Sequence, residues 1–203
     1  MTAKEKKAAI RAERLAARDQ MTPEQRDAAS AAMLAHAGET LDHVRGAVVA
    51  GFWPIRSEAD IRPLLERLRA RGARICLPVV LDRETIVFRD YAEGATLIKT
   101  GFGTSGPDEQ AEILEPNIVF VPLSAFDAAG HRIGYGAGHY DRAIARLIAL
   151  GHRPRLIGIA FACQEVASVP FEPHDIPLDA ILTEHGLRIL EAGSIRYETF
   201  VPR

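Results

Sequence analysis

The chain has 203 residues, 47% hydrophobic and 26% charged, with a formal net charge of −2. That length suits one well-buried domain spanning 1–203, and the near-neutral balance points to neither nucleic acid nor an anionic membrane as partner. No apolar run approaches the ~18 residues that cross a bilayer, the basic N-terminal run lacks a secretory pattern, and Cys76 and Cys163 have no metal or redox spacing, so the expected location is the cytoplasm, with both cysteines buried thiols.

Residues 4–19 are rich in Ala, Glu, Lys and Arg and read as helix. Thr22-Pro23-Glu24-Gln25 opens a second helix, with threonine as cap, proline in first position and glutamine in third. That helix is expected to end near Gly38. An apolar run, Ala47–Ala50, within Val44–Trp53 reads as a buried strand. Ile61–Arg71 is helical with Leu64, Leu65 and Leu68 on one face, and Gly72 ends it. Strands follow at Arg74–Pro78, Thr85–Arg89 and Asn117–Leu123, separated by a loop-rich stretch, Gly94–Pro116. Asp127–Gly130 is a turn leading to a glycine loop, after which Arg142–Leu150 reads as helix. Leu156–Phe161 and Ala180–Leu182 complete the strand set, and a terminal hairpin is expected from Leu187 to Phe200. The alternation predicts an α/β fold: a mostly parallel sheet with helices on both faces, a Rossmann-like three-layer sandwich. Ligands of such sheets gather beyond the carboxyl ends of the strands, which here means Trp53–Asp60, Ser124–Asp141 and Ala162–Asp179.

Within those loops, Gly134, Gly136 and Gly138 alternate with Tyr135, Ala137 and His139, and Tyr140-Asp141 follows at once. Such a loop either makes a tight surface turn or turns its N–H groups toward polyphosphate, with a helix N-terminus behind it. Asp141 is then placed to hold magnesium, with Asp175 as a second carboxylate or a plain turn residue. Lys7, Arg11, Arg14 and Arg18 are spaced four, three and four apart and form one helical stripe. From spacing alone it is a solvated face or a phosphate-facing one. Glu58, beside Phe52 and Trp53, is a helix-start carboxylate or an acceptor for the N–H edge of a flat heterocycle. The histidines show no ligand pairing for zinc or iron, and no side-chain nucleophile with its base can be picked out.

Taken in register, these segments resemble the 5-formyltetrahydrofolate cyclo-ligase (5,10-methenyltetrahydrofolate synthetase) family. The resemblance runs from Lys7 and Arg11, through Glu58-Ala59-Asp60, Phe126-Asp127 and the block Arg132–Asp141, to His174-Asp175 and Leu182-Thr183-Glu184. It implies ATP- and magnesium-dependent closure of 5-formyltetrahydrofolate to 5,10-methenyltetrahydrofolate, with ADP and phosphate released after phosphorylation of the formyl oxygen, and no protein nucleophile. By motif position it implies ATP contacts from Lys7, Arg11, Arg132, Ile133, Gly134, Tyr135, Gly136, Ala137, Gly138, His139 and Tyr140. Trp53, Glu58 and residues 135–139 would line the folate pocket, Asp141 and Asp175 would bind Mg2+, and Tyr140 could help to position the reactants. The chain departs from relatives that carry arginine and lysine where it has Tyr135 and Ala137, and from others with tyrosine in place of His139. The competing readings are a divergent relative acting on another formylated or amide-bearing molecule, and a nucleotide- or folate-binding protein without turnover. A monomer is expected.

Overall fold

The computed structural model describes residues 2–42 and 44–190. The first helix, α1 (Ala3–Asp19), is closed at its start by a reciprocal pair: Thr2 Oγ1 accepts the Glu5 N–H while Glu5 accepts the Thr2 N–H. Helix α2 (Pro23–Asp42) passes the expected stop at Gly38. A glycine inside a helix costs only about 1 kcal/mol, and burial of Leu41, 2% exposed against the core, offsets it. After β1 (Val48–Ala50) and α3 (Arg62–Ala70), β2 (Arg74–Val80) runs two residues past its expected end at Pro78 and turns back as β3 (Ile86–Asp90). Pro78 is tolerated because β1 is paired only as far as Cys76, so the missing N–H interrupts no parallel ladder.

The loop-rich stretch contains a minimal hairpin, β4 (Ile98–Lys99) with β5 (Ser105–Gly106). It has no length over which a period could register. Strand β6 (Ile118–Pro122) feeds the hairpin β7 (Ala125–Phe126) and β8 (Arg132–Ile133), whose turn is the expected Asp127–Gly130. Helix α4 (His139–Ala149) begins three residues before the expected Arg142, directly at the glycine loop. Strands β9 (Arg155–Ile159), β10 (Ala180–Thr183) and β11 (Gly186–Ile189) close the sheet. Leu187 lies in β11, which pairs back onto β10, and the expected hairpin beyond Leu190, to Phe200, lies outside the described residues.

The seven strands run in the order β11-β10-β9-β6-β1-β2-β3, parallel from β10 to β2 with an antiparallel strand at each edge. Both faces are covered, as the fold class predicts. Val49, Ile75, Phe120 and Ile157 face α2 and α3, where Met33, Leu64 and Leu68 meet them. Their neighbours Ala50, Cys76, Val119, Val121 and Leu156 face Ile144 and Leu147 of α4. Burial on both sides is why these strands read as continuous apolar runs. The chain goes from β1 outward to β2 and then back to β6 on β1's other side, so β1 and β6 flank the point where strand order reverses. Crevices for ligands form beyond the carboxyl ends of such a pair. No helix among the described residues is long and apolar enough to cross a membrane. Cys76 is a buried free thiol, whereas Cys163, expected to be buried, is a free thiol only half-covered.

Asp127 organises the loops above β6. Its Oδ1 accepts the N–H groups of Ala129 (3.1 Å) and His131 (3.0 Å), and its Oδ2 accepts that of Val169 (2.9 Å). Replacing it by alanine strands three backbone donors, each costing about 1–3 kcal/mol when left unpaired in the interior. Asp127→Ala is therefore expected to lower the unfolding free energy by roughly 2–4 kcal/mol in urea titrations. A loss under about 1 kcal/mol would mean the turn stands without it.

Candidate active site at the carboxyl end of the sheet

Helix α1 takes no part in either sheet face. It lies across the loops that follow β1, β6 and β9, and each cation of its stripe reaches one of them. Lys7 Nζ bonds Asp175 Oδ2 (2.5 Å) and Glu172 Oε2 (3.0 Å). Arg11 Nε donates to Gly134 O (2.7 Å), Arg14 Nη1 to Cys163 O (3.1 Å), and Arg18 to Ser57 Oγ and the Tyr135 hydroxyl, each at 3.0 Å. The stripe is thus engaged with these loops and is not a solvated face. Burial works against the Lys7 charge, but Asp175 and Glu172 outweigh it and raise its pKa. Arg11 is different. Burial lowers its pKa, and no carboxylate pairs with it among the described residues. A half-buried guanidinium lying against Gly136 is suited to an anionic ligand.

The glycine loop runs from β8 into α4. Gly136 and Gly138 have φ of +99° and +69°, a region other residues enter only with strain, while Gly134 does not need it. A side chain at Gly136 would also press on the Arg11 guanidinium. Gly138 caps α4 with no side-chain hydrogen bond, so the helix opens into the crevice with its first N–H groups uncapped by a side chain. The hairpin between β2 and β3 braces the loop from outside: Arg142 Nε donates to Glu84 O and its Nη2 to Ala137 O, both at 2.7 Å. His139 Nε2 lies 2.9 Å from Arg83 O, so its ring is engaged with that hairpin. Tyr140 packs edge-on against Phe88, and its buried hydroxyl has no partner among the described residues.

Across the crevice, Ile55–Glu58 forms a tight turn. The Glu58 N–H bonds Ile55 O (3.1 Å), and Glu58 Oε2 accepts the Ile55 N–H (2.9 Å). Arg56 occupies its second position with φ +53°, the one positive-φ residue besides glycine among those described. Such strain costs of order 1–3 kcal/mol and clusters at functional sites. Glu58 Oε1 accepts the Tyr135 hydroxyl at 2.7 Å, so the carboxylate from the β1 loop and the glycine loop after β8 are bonded to each other. Burial raises the Glu58 carboxyl above its ordinary value, against opposing contributions from the Ile55 N–H, Tyr135, Arg18 and Arg56. Trp53 stands half-buried nearby, with Tyr91 at its edge and the Arg62 guanidinium 5.3 Å over its ring.

The two candidate metal carboxylates meet at a third loop. Asp141 Oδ1 accepts from Arg132 Nη2 (2.6 Å) and from the Ile176 N–H (3.4 Å). Asp175, which directly precedes Ile176, receives Lys7. Burial pushes the Asp175 carboxyl up, but the Lys7 and Glu172 N–H hydrogen bonds prevail and hold it below its usual range. As hard oxygen donors the pair fit Mg2+, with Lys7 and Arg132 now neutralising them. No cluster of three or more metal-ligating side chains occurs among the described residues.

Lys7, Arg11, Glu58, Arg132, Asp141 and Asp175 are thus all engaged in the loops at this end of the sheet, while Ile133 is a buried strand residue that can offer only backbone and packing. Arg18, Asp19 and Ser57 were not singled out as site residues, although Arg18 belonged to the stripe. Their signal was weak: Arg18-Asp19 closes α1 and Ser57 precedes Glu58.

This architecture defines a doubly wound α/β protein with an anion-receptive glycine loop at its switch point. The 5-formyltetrahydrofolate cyclo-ligase family model matches residues 3–184, and the chain belongs to that family. The 5-formyltetrahydrofolate cyclo-ligase of Escherichia coli (strain K12) is 31% identical over 173 residues, spanning 80% of this chain and 92% of its own. That of Haemophilus influenzae is 28% identical, spanning 88% and 97%. The NMR structure of Aquifex aeolicus 5,10-methenyltetrahydrofolate synthetase superposes with a TM-score of 0.75 at 28% identity, over 91% of this chain and 93% of that one. A Mycoplasma pneumoniae 5,10-methenyltetrahydrofolate synthetase shares the fold at 22% identity, with a TM-score of 0.69 over 88% and 98%.

Because the folded chain raises the Glu58 pKa, this group favours the native state at low pH, and that contribution is lost as pH rises through its folded value. Glu58→Gln is thus expected to melt higher than the parent at neutral pH, with the difference fading as pH falls into the ordinary carboxylate range. A difference independent of pH, followed by calorimetry, would refute this. Tyr140→Phe removes a buried hydroxyl that lacks a protein partner. It should leave stability unchanged or raise it by about 1 kcal/mol, whereas a loss of that size would reveal a hidden partner.

Proposed function

We propose that the protein converts 5-formyltetrahydrofolate to 5,10-methenyltetrahydrofolate in an ATP- and Mg2+-dependent ring closure that releases ADP and phosphate. The observation that carries this reading, beside the family membership, is the 2.7 Å bond from Tyr135 to Glu58. It joins the loop suited to phosphates to the carboxylate suited to a pterin, so the two reactants would meet.

Glu58 has about four lone-pair positions and the fold uses two. The others can accept paired N–H donors from a pterin edge, with Trp53 as apolar wall and residues 135–139 completing the pocket. On the other side, the loop Arg132–Tyr140, the α4 N-terminus, Lys7 and Arg11 would receive the ATP phosphates, and Asp141 and Asp175 would hold the magnesium. ATP supplies the phosphoryl group that makes the formyl oxygen a good leaving group, after which N10 closes the ring. No protein nucleophile is needed, so the side chains' work is positioning and charge neutralisation. Lys7 already bonds Asp175, and an arriving cation would release that ammonium toward phosphate. His139, engaged with the β2–β3 hairpin, would contribute through its backbone. We place the enzyme in the cytoplasm as a monomer acting on small molecules, a reading supported by two free thiols.

The test is the absorbance of the methenyl product, followed with purified protein, 5-formyltetrahydrofolate and Mg2+, with and without ATP. An ATP-dependent rise is expected, and a flat trace would overturn the assignment. In the same assay Asp141→Asn should lower kcat at least about tenfold, or about 1.4 kcal/mol, with folate affinity little changed. Equal losses of both would remove its metal role. Lys7→Ala with Arg11→Ala should raise KM for ATP by about tenfold or more, since charge-assisted hydrogen bonds are worth about 1.5–3 kcal/mol each. Unchanged ATP kinetics would detach the stripe from the nucleotide.

A further inference from the structure

Arg18 is the most deeply buried cation of the stripe, 2% exposed, yet among the described residues no carboxylate hydrogen-bonds it directly. Its Nε donates to Ser57 Oγ at 3.0 Å, and that hydroxyl donates onward to Asp19 Oδ1. Its Nη2 donates to the Tyr135 hydroxyl oxygen at 3.0 Å, with the guanidinium carbon 5.9 Å from the ring centroid. Accepting that bond commits the phenol to donate its own proton, and it does so to Glu58 Oε1 at 2.7 Å. The same guanidinium therefore grips both residues that frame Glu58: its sequence neighbour Ser57 and its hydrogen-bond donor Tyr135. A buried arginine with water-like partners alone would be a poor stabilising device. Its geometry makes sense as an aligning one.

We propose that Arg18 is a positioning residue for the substrate-binding carboxylate, acting through the Tyr135 hydroxyl to keep Glu58 aimed and ionised for the N–H edge of the folate heterocycle. This rests on the reading that Glu58 receives folate. The charged and titratable groups facing Glu58 are Arg18, Arg56, Tyr135 and Tyr140, with Asp19 one hydroxyl removed behind Ser57. Burial drives the Glu58 carboxyl up and Arg18 opposes it, while the Tyr135 phenol is itself raised by burial and by Glu58 and so stays a donor. Removing the Arg18 charge leaves the first effect less opposed, so Glu58 takes up a proton at higher pH than before. A protonated Glu58 cannot accept a pair of N–H donors. The relay is thus a device for extending folate binding toward acid pH.

The test is a double-mutant cycle of Arg18→Met and Tyr135→Phe, read by the methenyl absorbance as folate KM, ATP KM and the pH profile of kcat/KM for folate. Each single variant is expected to raise folate KM about tenfold and to move the acid limb to higher pH, and Arg18→Met, outside the phosphate loop, to leave ATP KM within about twofold. In folate KM, Arg18→Met should add less than about twofold in the Tyr135→Phe background, because its hydrogen-bonded route to Glu58 is already cut, while its direct charge effect on the acid limb persists. Arg18→Lys, which keeps the charge, should recover most of the acid limb. Equal effects of Arg18→Met on folate KM in both backgrounds would overturn the proposal, as would an acid limb that does not move or, in Arg18→Met, parallel losses for ATP and folate. Should Arg18→Met fail to fold, Tyr135→Phe removes only a hydroxyl and decides the case alone: parental folate KM and pH profile would refute the relay. An inactive parent protein would overturn the folate reading and this inference together. An active parent with a silent Tyr135→Phe would overturn the inference alone.

Discussion

The site depends on how a polar helix is held over the end of a sheet. Helix α1 places little apolar surface against the protein: Ile10 packs on a small cluster of Ala125, Ile133 and Val169, outside the two principal cores. What fixes it is the set of cation contacts from Lys7, Arg11, Arg14 and Arg18 to the loops following β1, β6 and β9. Exposed ion pairs contribute little, but hydrogen bonds from partly buried charges to fixed acceptors are stronger and directional. The same groups that hold the helix also line the crevice. Ligands that take over some of these bonds would exchange one set of partners for another, without creating new unpaired charges.

The carboxylates obey the same logic. Asp141 and Asp175 are each satisfied by a cation, Arg132 and Lys7, and both rest against the segment Glu172–Ile176. A site of two bare, adjacent carboxylates would raise its own protonation and repel triphosphate. On the proposed reading, a pair neutralised in advance would leave its cations for the phosphates and its oxygens for a metal once the ligand is bound. Arg11, which pairs with no carboxylate among the described residues, adds positive potential beside the N-terminus of α4.

Much of this was legible in the chain itself, and the reasons differ by element. Strands buried on both faces leave unbroken apolar runs, so β1 and β6 could be read directly, and the leucine face of α3 follows from helical spacing. The glycine loop carried its own geometry. The spacing of the stripe was equally plain, but not its destination, since a period identifies a face and says nothing of what that face meets. Helix α2 outran Gly38 because tertiary burial of Leu41 overrode a local stop, and the β4–β5 hairpin is too short to hold a pattern. Least legible were the contacts that join distant loops. Tyr135 and Glu58 are 77 positions apart, Arg18 and Tyr135 are 117 apart, and only the strand order brings them together.

Those long-range contacts also explain why a carboxylate can be kept half-buried where it is costly. Glu58 sits in a strained turn, with Arg56 at positive φ, and burial opposes its charge. Either feature could be relieved by a glycine or a neutral side chain, with a gain in stability. The fold instead surrounds the carboxylate with donors that satisfy about half of its lone pairs. Stability withheld here is available to a ligand: paired N–H donors would complete the coordination of a charge the protein has only partly solvated. A fully satisfied Glu58 would make a more stable protein and a weaker binding site, because the incoming edge would then have to displace bonds already made.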